Sequence, residues 1–114
     1  MKVIYIAGPY TANTNWQTQE NINLAMKYGR FIAEIGAMPL ISHSNTPLVF
    51  ADLKCPQFWY DGTMELLRRC DAILLIPGWE SSKGALAERE EAIKLSIPVF
   101  YRVPDVDSWM RGFA

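Results

Sequence analysis

Hydrophobic residues are arranged along the chain in two ways, as short continuous runs and as longer segments with helical spacing. The continuous runs are apolar on both faces, which is typical of central strands in a parallel sheet. They predict four strands, at residues 3–7, 38–42, 72–76 and 98–101. Helical spacing predicts three helices between them, at residues 15–35, 58–69 and 83–95.

The remaining segments are predicted to be loops. Residues 43–56 have mixed polarity and several turn-forming residues, which indicates a long surface loop. A shorter loop is expected at 77–82, where Pro77 and Gly78 interrupt the apolar pattern. Residues after 101 are expected to form a short tail.

The order of these elements, β-α-β-α-β-α-β, predicts an α/β protein with a small doubly wound, flavodoxin- or Rossmann-like parallel sheet of four to five strands. The whole chain, 1–114, is expected to be one domain. In the strand order 2-1-3-4, the topological switch point lies between the first and third strands. Ligands bind at such a point, so the loop Gly8-Pro9-Tyr10 and the loop 77–82 should face each other across a crevice.

Composition narrows the classes of partner. The net charge is −1, so the basic face of a nucleic-acid binder is not expected. No apolar stretch approaches the roughly 20 residues that cross a bilayer, and a cytoplasmic protein is predicted. Two cysteines and a single histidine give no metal-ligand spacing. Apolar residues such as Phe50, Phe58 and Trp59 exceed what one small core can cover, which predicts a homo-oligomer.

The segment from Trp79 to Glu88 is the sharpest chemical feature. Ser81, Ser82 and Gly84 precede or begin a predicted helix, where free backbone N–H groups offer an anion site. Glu88 lies just over one turn into that helix, and its side chain should lean back toward the loop. The alternative is a solvated or salt-bridged helix glutamate.

Four further residues are candidates for a site. Asp61 could be the second carboxyl group that glycosidic cleavage commonly needs, or a plain helix-start residue. Tyr10 and Trp79 lie on the two predicted crevice loops, where they could stack on a nucleobase or simply pack. His43 follows a strand and is either a ligand contact or a structural histidine. Because the motifs G-x-S-x-G, G-x-G-x-x-G and the P-loop are absent, hydride and phosphoryl transfer are poorly supported.

Several of these segments together resemble the nucleoside 2-deoxyribosyltransferase superfamily. The resemblance covers about the first 100 residues and is strongest to short members with the segment Gly-Trp-x-x-Ser-x-Gly-Ala-x-x-Glu, which begins here at Gly78. The matching segments are Ile-Tyr-Ile-Ala-Gly-Pro-Tyr at 4–10, Trp-Tyr-Asp at 59–61, Cys-Asp-Ala-Ile-Leu-Leu at 70–75, and Ser82-x-Gly84-x-x-x-Glu88.

The resemblance implies covalent catalysis within a doubly wound fold. Glu88 matches the glutamate that attacks the anomeric carbon, and Asp61 matches the aspartate that contacts the base and helps it leave. Two successive displacements should retain anomeric configuration. Tyr10 lies where the family has an aromatic or polar residue, and no metal or organic cofactor is implied.

One departure from the family pattern concerns the substrate. The transferases carry an aspartate six residues before the nucleophile, whereas this chain has Ser82, as related nucleoside 5′-monophosphate N-glycosidases do. A serine at a helix N-terminus favours a phosphate, which an aspartate would repel. The expected reaction is therefore N-glycosidic cleavage of a nucleoside 5′-monophosphate or nucleoside, with water or another base as acceptor. The substrate-binding residues predicted are Gly8, Pro9, Tyr10, His43, Trp79, Ser81, Ser82 and Gly84.

Two other functions remain open from the sequence. The first alternative is a non-catalytic nucleotide-binding module that keeps the crevice. The second is a scaffold or interaction domain, which an exposed apolar patch without a lined crevice would favour.

Overall fold

The sheet is parallel throughout and has four strands in the order β2-β1-β3-β4, as predicted. The computed structural model of the protein describes residues 1–44 and 53–112, so most of the predicted 43–56 loop lies outside the described residues. The strands are β1 (Val3–Ala7), β2 (Met38–Ile41), β3 (Ala72–Leu75) and β4 (Val99–Phe100). The last strand is shorter than predicted.

Helices connect the strands: α1 (Asn15–Glu34), α2 (Pro56–Arg68) and α3 (Lys83–Lys94). Short 3-10 helices occupy Ser42–Ser44 and Trp79–Ser81. The second lies within a predicted loop, whereas the first begins at Ser42, which was predicted to end the second strand.

The prediction of a short tail is wrong, because the chain continues into a helix, α4 (Val103–Met110). Pro104 stands in its first turn, where a missing N–H costs nothing. Val106 is fully buried, and Trp109 and Met110 pack against the same core. Val106, Trp109 and Met110 therefore have the helical spacing of a buried helix face, and this pattern was already present in the sequence after Pro104.

The core has two layers, one on each face of the sheet, because alternate residues of a strand point to opposite faces. Ile4 and Ile6 of β1 face α1 and α4, whereas Tyr5 and Ala7 face α2 and α3. Helices thus cover both faces, as a doubly wound fold requires. The alternation decides which side chains of β1 can meet α3.

The loops after β1 and β3 begin side by side, since Ala7 pairs with Leu75 and the N–H of Ile76 donates to the Ala7 carbonyl at 2.9 Å. A Cβ on Gly8 would lie 2.4 Å from Ile76 Cγ1. Gly78 has a φ of +93°, and a Cβ there would lie 2.9 Å from Pro9 Cγ. Glycine at both positions allows the two loops to pack directly on each other.

The structure tests the predictions of a cytoplasmic protein and of a homo-oligomer only in part. No helix in the described ranges is long and apolar enough to span a membrane. Of the residues that suggested association of several copies, Phe58 is 48% exposed, Trp59 is half-buried and Phe50 lies outside the described residues. Homo-oligomer formation stays a prediction.

Candidate functional site

A cavity of about 1050 Å³ opens at the carboxyl ends of β1 and β3, the predicted switch point. Its walls come from the loop after β1, the N-terminal half of α1, the 3-10 helix after β2, one side of α2 and the start of α3. The lining residues are Gly8, Pro9, Tyr10, Thr11, Ala12, Gln17, Asn21, Ser42, His43, Pro56, Trp59, Tyr60, Thr63, Ser81, Ser82, Lys83, Gly84, Ala85 and Glu88.

Glu88 is the buried acidic group of this cavity, with an exposed fraction of 9%. Its Oε2 accepts a hydrogen bond from the Tyr5 hydroxyl. Burial raises the pKa of Glu88 from the ordinary 4.5 to about 7, and the hydrogen bond from Tyr5 acts in the opposite direction. Glu88 is therefore not a solvated helix glutamate, and it titrates close to neutral pH.

Tyr5 is the partner that the sequence reading missed. It is fully buried on the α2 and α3 side of β1. Burial, followed by the negative charge of Glu88, raises its pKa, while the Ser42 side chain acts the other way. Its phenolic proton therefore stays in place, and the hydroxyl remains a donor to Glu88. The signal in the sequence was a lone hydroxyl within a strand that is otherwise apolar, since such a group needs a hydrogen-bond partner.

The start of α3 presents hydrogen-bond donors to the cavity. Ser82 is the N-cap, and its Oγ accepts a hydrogen bond from the Ala85 N–H at 3.2 Å, which leaves its own proton available. The N–H groups of Lys83 and Gly84 belong to the first turn and have no partner within the helix. Ser81 differs, because its hydroxyl donates to the Gly78 carbonyl at 3.1 Å. Ser82 is therefore the serine with a proton to offer.

His43 holds the loop that follows β1. Its Nε2 lies 2.8 Å from the Pro9 carbonyl oxygen, so Nε2 carries the proton. The Tyr10 ring meets the imidazole edge-on at 5.5 Å, and Asn21 donates to the Tyr10 carbonyl at 3.0 Å. Burial lowers the pKa of His43, against the effect of the Pro9 and Gly8 carbonyls. The other nitrogen, Nδ1, is buried without a hydrogen-bond partner in the part of the chain that the structure describes.

Asp61 does not line the cavity, so the expectation that it shares a crevice with Glu88 is wrong. It lines a separate groove of about 490 Å³ between α2 and α3, with Arg68, Glu90 and Lys94 among its neighbours. Its Oδ1 accepts a hydrogen bond from Gln57 Nε2 at 2.7 Å. The cavity is lined instead by a stripe of α2 with helical spacing, formed by Pro56, Trp59, Tyr60 and Thr63.

Trp79 also lies outside the cavity, contrary to the expectation that the ring faces it. The side chain packs partly against the core beneath α2 and α3. Its ring centroid is 5.4 Å from that of Tyr101, and the Arg89 guanidinium carbon is 5.5 Å from the centroid of the Trp79 ring.

Within residues 1–44 and 53–112, no three His, Cys, Asp or Glu side chains are grouped so that they could hold a metal ion.

Known proteins resemble the chain in sequence family and in fold. Residues 2–102 match the model of a family described as "Domain of unknown function (DUF7768)". No curated protein sequence matches significantly. Among solved structures, a 2-deoxyribosyltransferase from the psychrotolerant bacterium Bacillus psychrosaccharolyticus, a biocatalyst for nucleoside synthesis, aligns with a TM-score of 0.64. The alignment covers 85% of this chain and 69% of that chain at 17% identity, which is a likeness of fold.

Proposed function

The chain belongs to the family described as Domain of unknown function (DUF7768), and from this premise we propose that it cleaves the N-glycosidic bond of a nucleoside 5′-monophosphate or nucleoside. One observation carries the proposal: Glu88 is a buried carboxylate that faces a cavity and is held by Tyr5. The fold shared with a 2-deoxyribosyltransferase supports the same chemistry. We propose that residues 1–114 act as one catalytic domain.

The proposed reaction has two displacements at the anomeric carbon. Because Tyr5 binds Oε2 of Glu88, Oε1 is the oxygen that attacks. The bond from this carbon to the base breaks, the electron pair goes to the base nitrogen, and the base takes a proton from water. A water molecule then attacks the same carbon, gives one proton to the hydroxide left by the first step, and frees the Glu88 carboxylate. Two inversions leave the anomeric configuration retained.

Tyr5 has a positioning role in this proposal. Its hydrogen bond fixes one carboxylate oxygen and favours the ionised form of Glu88. The nucleophile must be ionised to attack, and with a pKa near 7 a substantial fraction of Glu88 is ionised at neutral pH. Burial also removes competing water, which makes the carboxylate a better nucleophile.

We assign the phosphate or 5′-hydroxyl end of the substrate to the start of α3. The Ser82 hydroxyl and the N–H groups of Lys83 and Gly84 are its donors, and the helix dipole favours an anion there. The base is assigned to the part of the cavity where Trp59, Tyr60 and Tyr10 supply aromatic surface.

The second candidate is a nucleotide-binding module without turnover. The position of Asp61 in the groove between α2 and α3 favours it, because the carboxyl group that would assist the leaving base is not in the cavity. In the proposed reaction the leaving base takes its proton from water, so the Asp61 carboxyl group is not needed.

A single experiment separates the two candidates. The protein is incubated with a panel of nucleosides and their 5′-monophosphates, and released base is measured by chromatography. We expect wild type to release base and Glu88→Gln to lose at least about 10³-fold in rate while still binding nucleotide. Glu90→Gln, an exposed neighbour on α3, is the matched control and should keep its activity. If Glu88→Gln released base as fast as wild type, the mechanism would be contradicted. If wild type bound nucleotide but released no base, the nucleotide-binding module would be favoured.

A further inference from the structure

Three side chains from separate elements meet outside the cavity, and together we call them the Arg89 cluster: Trp79, Arg89 and Tyr101. Arg89 Nε donates to the Tyr101 hydroxyl at 2.9 Å. The guanidinium lies over the Trp79 ring, and the rings of Trp79 and Tyr101 are 5.4 Å apart. The cluster thus joins the turn before α3, the body of α3 and the residue after β4.

Trp79 connects this cluster to the start of α3. It is the first residue of the 3-10 helix Trp79–Ser81, and its backbone carbonyl accepts the N–H of Ser82 at 3.1 Å. Ser82 is in turn the N-cap of α3. A fixed position for the Trp79 side chain therefore fixes the backbone that carries the Ser82 hydroxyl.

We propose that the Arg89 cluster is a positioning device for the phosphate-binding end of α3 and sets the preference for a 5′-monophosphate over a nucleoside. The proposal rests on the proposed function, which assigns the phosphate to Ser82 and the first N–H groups of α3. The three residues act through the turn, since none of them lines the cavity.

The contacts of Arg89 distinguish positioning from a simple electrostatic effect. The guanidinium is held by a neutral hydroxyl and an aromatic face, and its ion pair is with Glu90, whose side chain is 72% exposed. Tyr101→Phe removes the hydrogen bond while it keeps the ring on Trp79 and every charge. A change in phosphate affinity in this variant is therefore not due to a change in net charge.

The experiment compares wild type, Tyr101→Phe, Trp79→Ala and Trp79→Phe, with Glu90→Gln as the control that leaves the Tyr101 hydrogen bond in place. KM and kcat are measured for one purine nucleoside and its 5′-monophosphate. Binding of inorganic phosphate is measured by calorimetry, and amide hydrogen exchange is measured at Ser82. Thermal unfolding checks that each variant is folded.

We expect Tyr101→Phe to raise KM for the monophosphate roughly three- to tenfold, with kcat and the nucleoside KM unchanged. Phosphate binding should weaken by the same factor, and Ser82 should exchange faster. Trp79→Ala should raise the monophosphate KM more than Tyr101→Phe does. Trp79→Phe should raise it less than Trp79→Ala, because it keeps a ring under Arg89.

Two results would overturn the proposal. One is an equal rise of KM on both substrates, which indicates a general loss of structure. The other is that Tyr101→Phe leaves both phosphate binding and amide hydrogen exchange at Ser82 unchanged. If wild type releases no base from any substrate, the proposed function fails, and the phosphate and exchange measurements still decide whether the cluster positions the turn.

Discussion

Tyr5 of β1 donates a hydrogen bond to Glu88 of α3, and both side chains are almost entirely removed from water. The two residues are 83 positions apart in sequence and meet because odd-numbered residues of β1 face the α2 and α3 side. Burial disfavours the charged form of Glu88, whereas the Tyr5 hydroxyl favours it. The balance between these two effects decides where the carboxyl group titrates.

The burial of Glu88 predicts a pH-dependent stability. Its pKa is raised from 4.5 to about 7, so the folded protein binds the proton more tightly than the unfolded chain does. The contribution to stability is fully present below the unfolded pKa and is lost as pH rises to about 7. The loss is up to about 3 kcal/mol, since one pKa unit corresponds to about 1.4 kcal/mol.

Urea unfolding of wild type and Glu88→Gln between pH 4 and about 8 measures this contribution. We expect the difference between the two proteins to change in favour of Glu88→Gln as pH rises. Glu90→Gln should not reproduce that trend, because its side chain is 72% exposed. Parallel pH profiles for wild type and Glu88→Gln would refute the raised pKa.

Tyr5→Phe tests the other half of the pair. Removing the hydroxyl removes the interaction that lowers the pKa of Glu88 and leaves the burial that raises it. We expect the pKa of Glu88 to rise above its wild-type value, and the free energy of unfolding to fall by about 1 kcal/mol at neutral pH. Carboxyl carbon NMR titration of glutamate-labelled protein measures the pKa. Tyr28→Phe, on the opposite face of the sheet, is the control, and a lower or unchanged pKa in Tyr5→Phe would count against the pairing.

Ser82→Asp tests the assignment of the phosphate end. Charge-assisted hydrogen bonds are worth about 1.5–3 kcal/mol each, so wild type should prefer a monophosphate to its nucleoside by about tenfold or more. Aspartate can still cap α3 but repels the phosphate, so the preference should disappear or reverse while the helix is retained. Ser81→Ala is the matched control, because that hydroxyl is bound to Gly78. Equal kcat/KM on both substrates in wild type and in Ser82→Asp would exclude the assignment.

Asp61→Asn tests whether Asp61 helps the base to leave, as the family resemblance implied, although the residue lies outside the cavity. The side chain borders the groove between α2 and α3 and is bound by Gln57. We expect Asp61→Asn to keep base release within about tenfold of wild type, whereas Glu88→Gln loses far more. A loss in Asp61→Asn as large as that in Glu88→Gln would show that the carboxyl group reaches the cavity when substrate is bound.

The sequence predicted the sheet well, because continuous apolar runs and the loop glycines follow from general rules of packing. The position of Glu88 at the crevice could be predicted because its place one turn into a helix is a local property. Asp61 was misplaced because Trp59, Tyr60 and Asp61 are adjacent in sequence, yet successive residues of a helix point about 100° apart. Tyr5 was missed because its partner lies on a distant element, and only the fold brings the two together.

Because of Gly8 and Gly78, a mutation in one crevice loop also affects the other loop. Gly8 makes room for Ile76 of the second loop, and Gly78 makes room for Pro9 of the first. A side chain added at either position collides with the opposite loop, whatever its own loop can tolerate. Exchange of these loops with those of a related protein therefore has to transplant both as a matched set. Directed evolution of the crevice should likewise vary the pair together, because beneficial changes in one loop depend on the identity of the other.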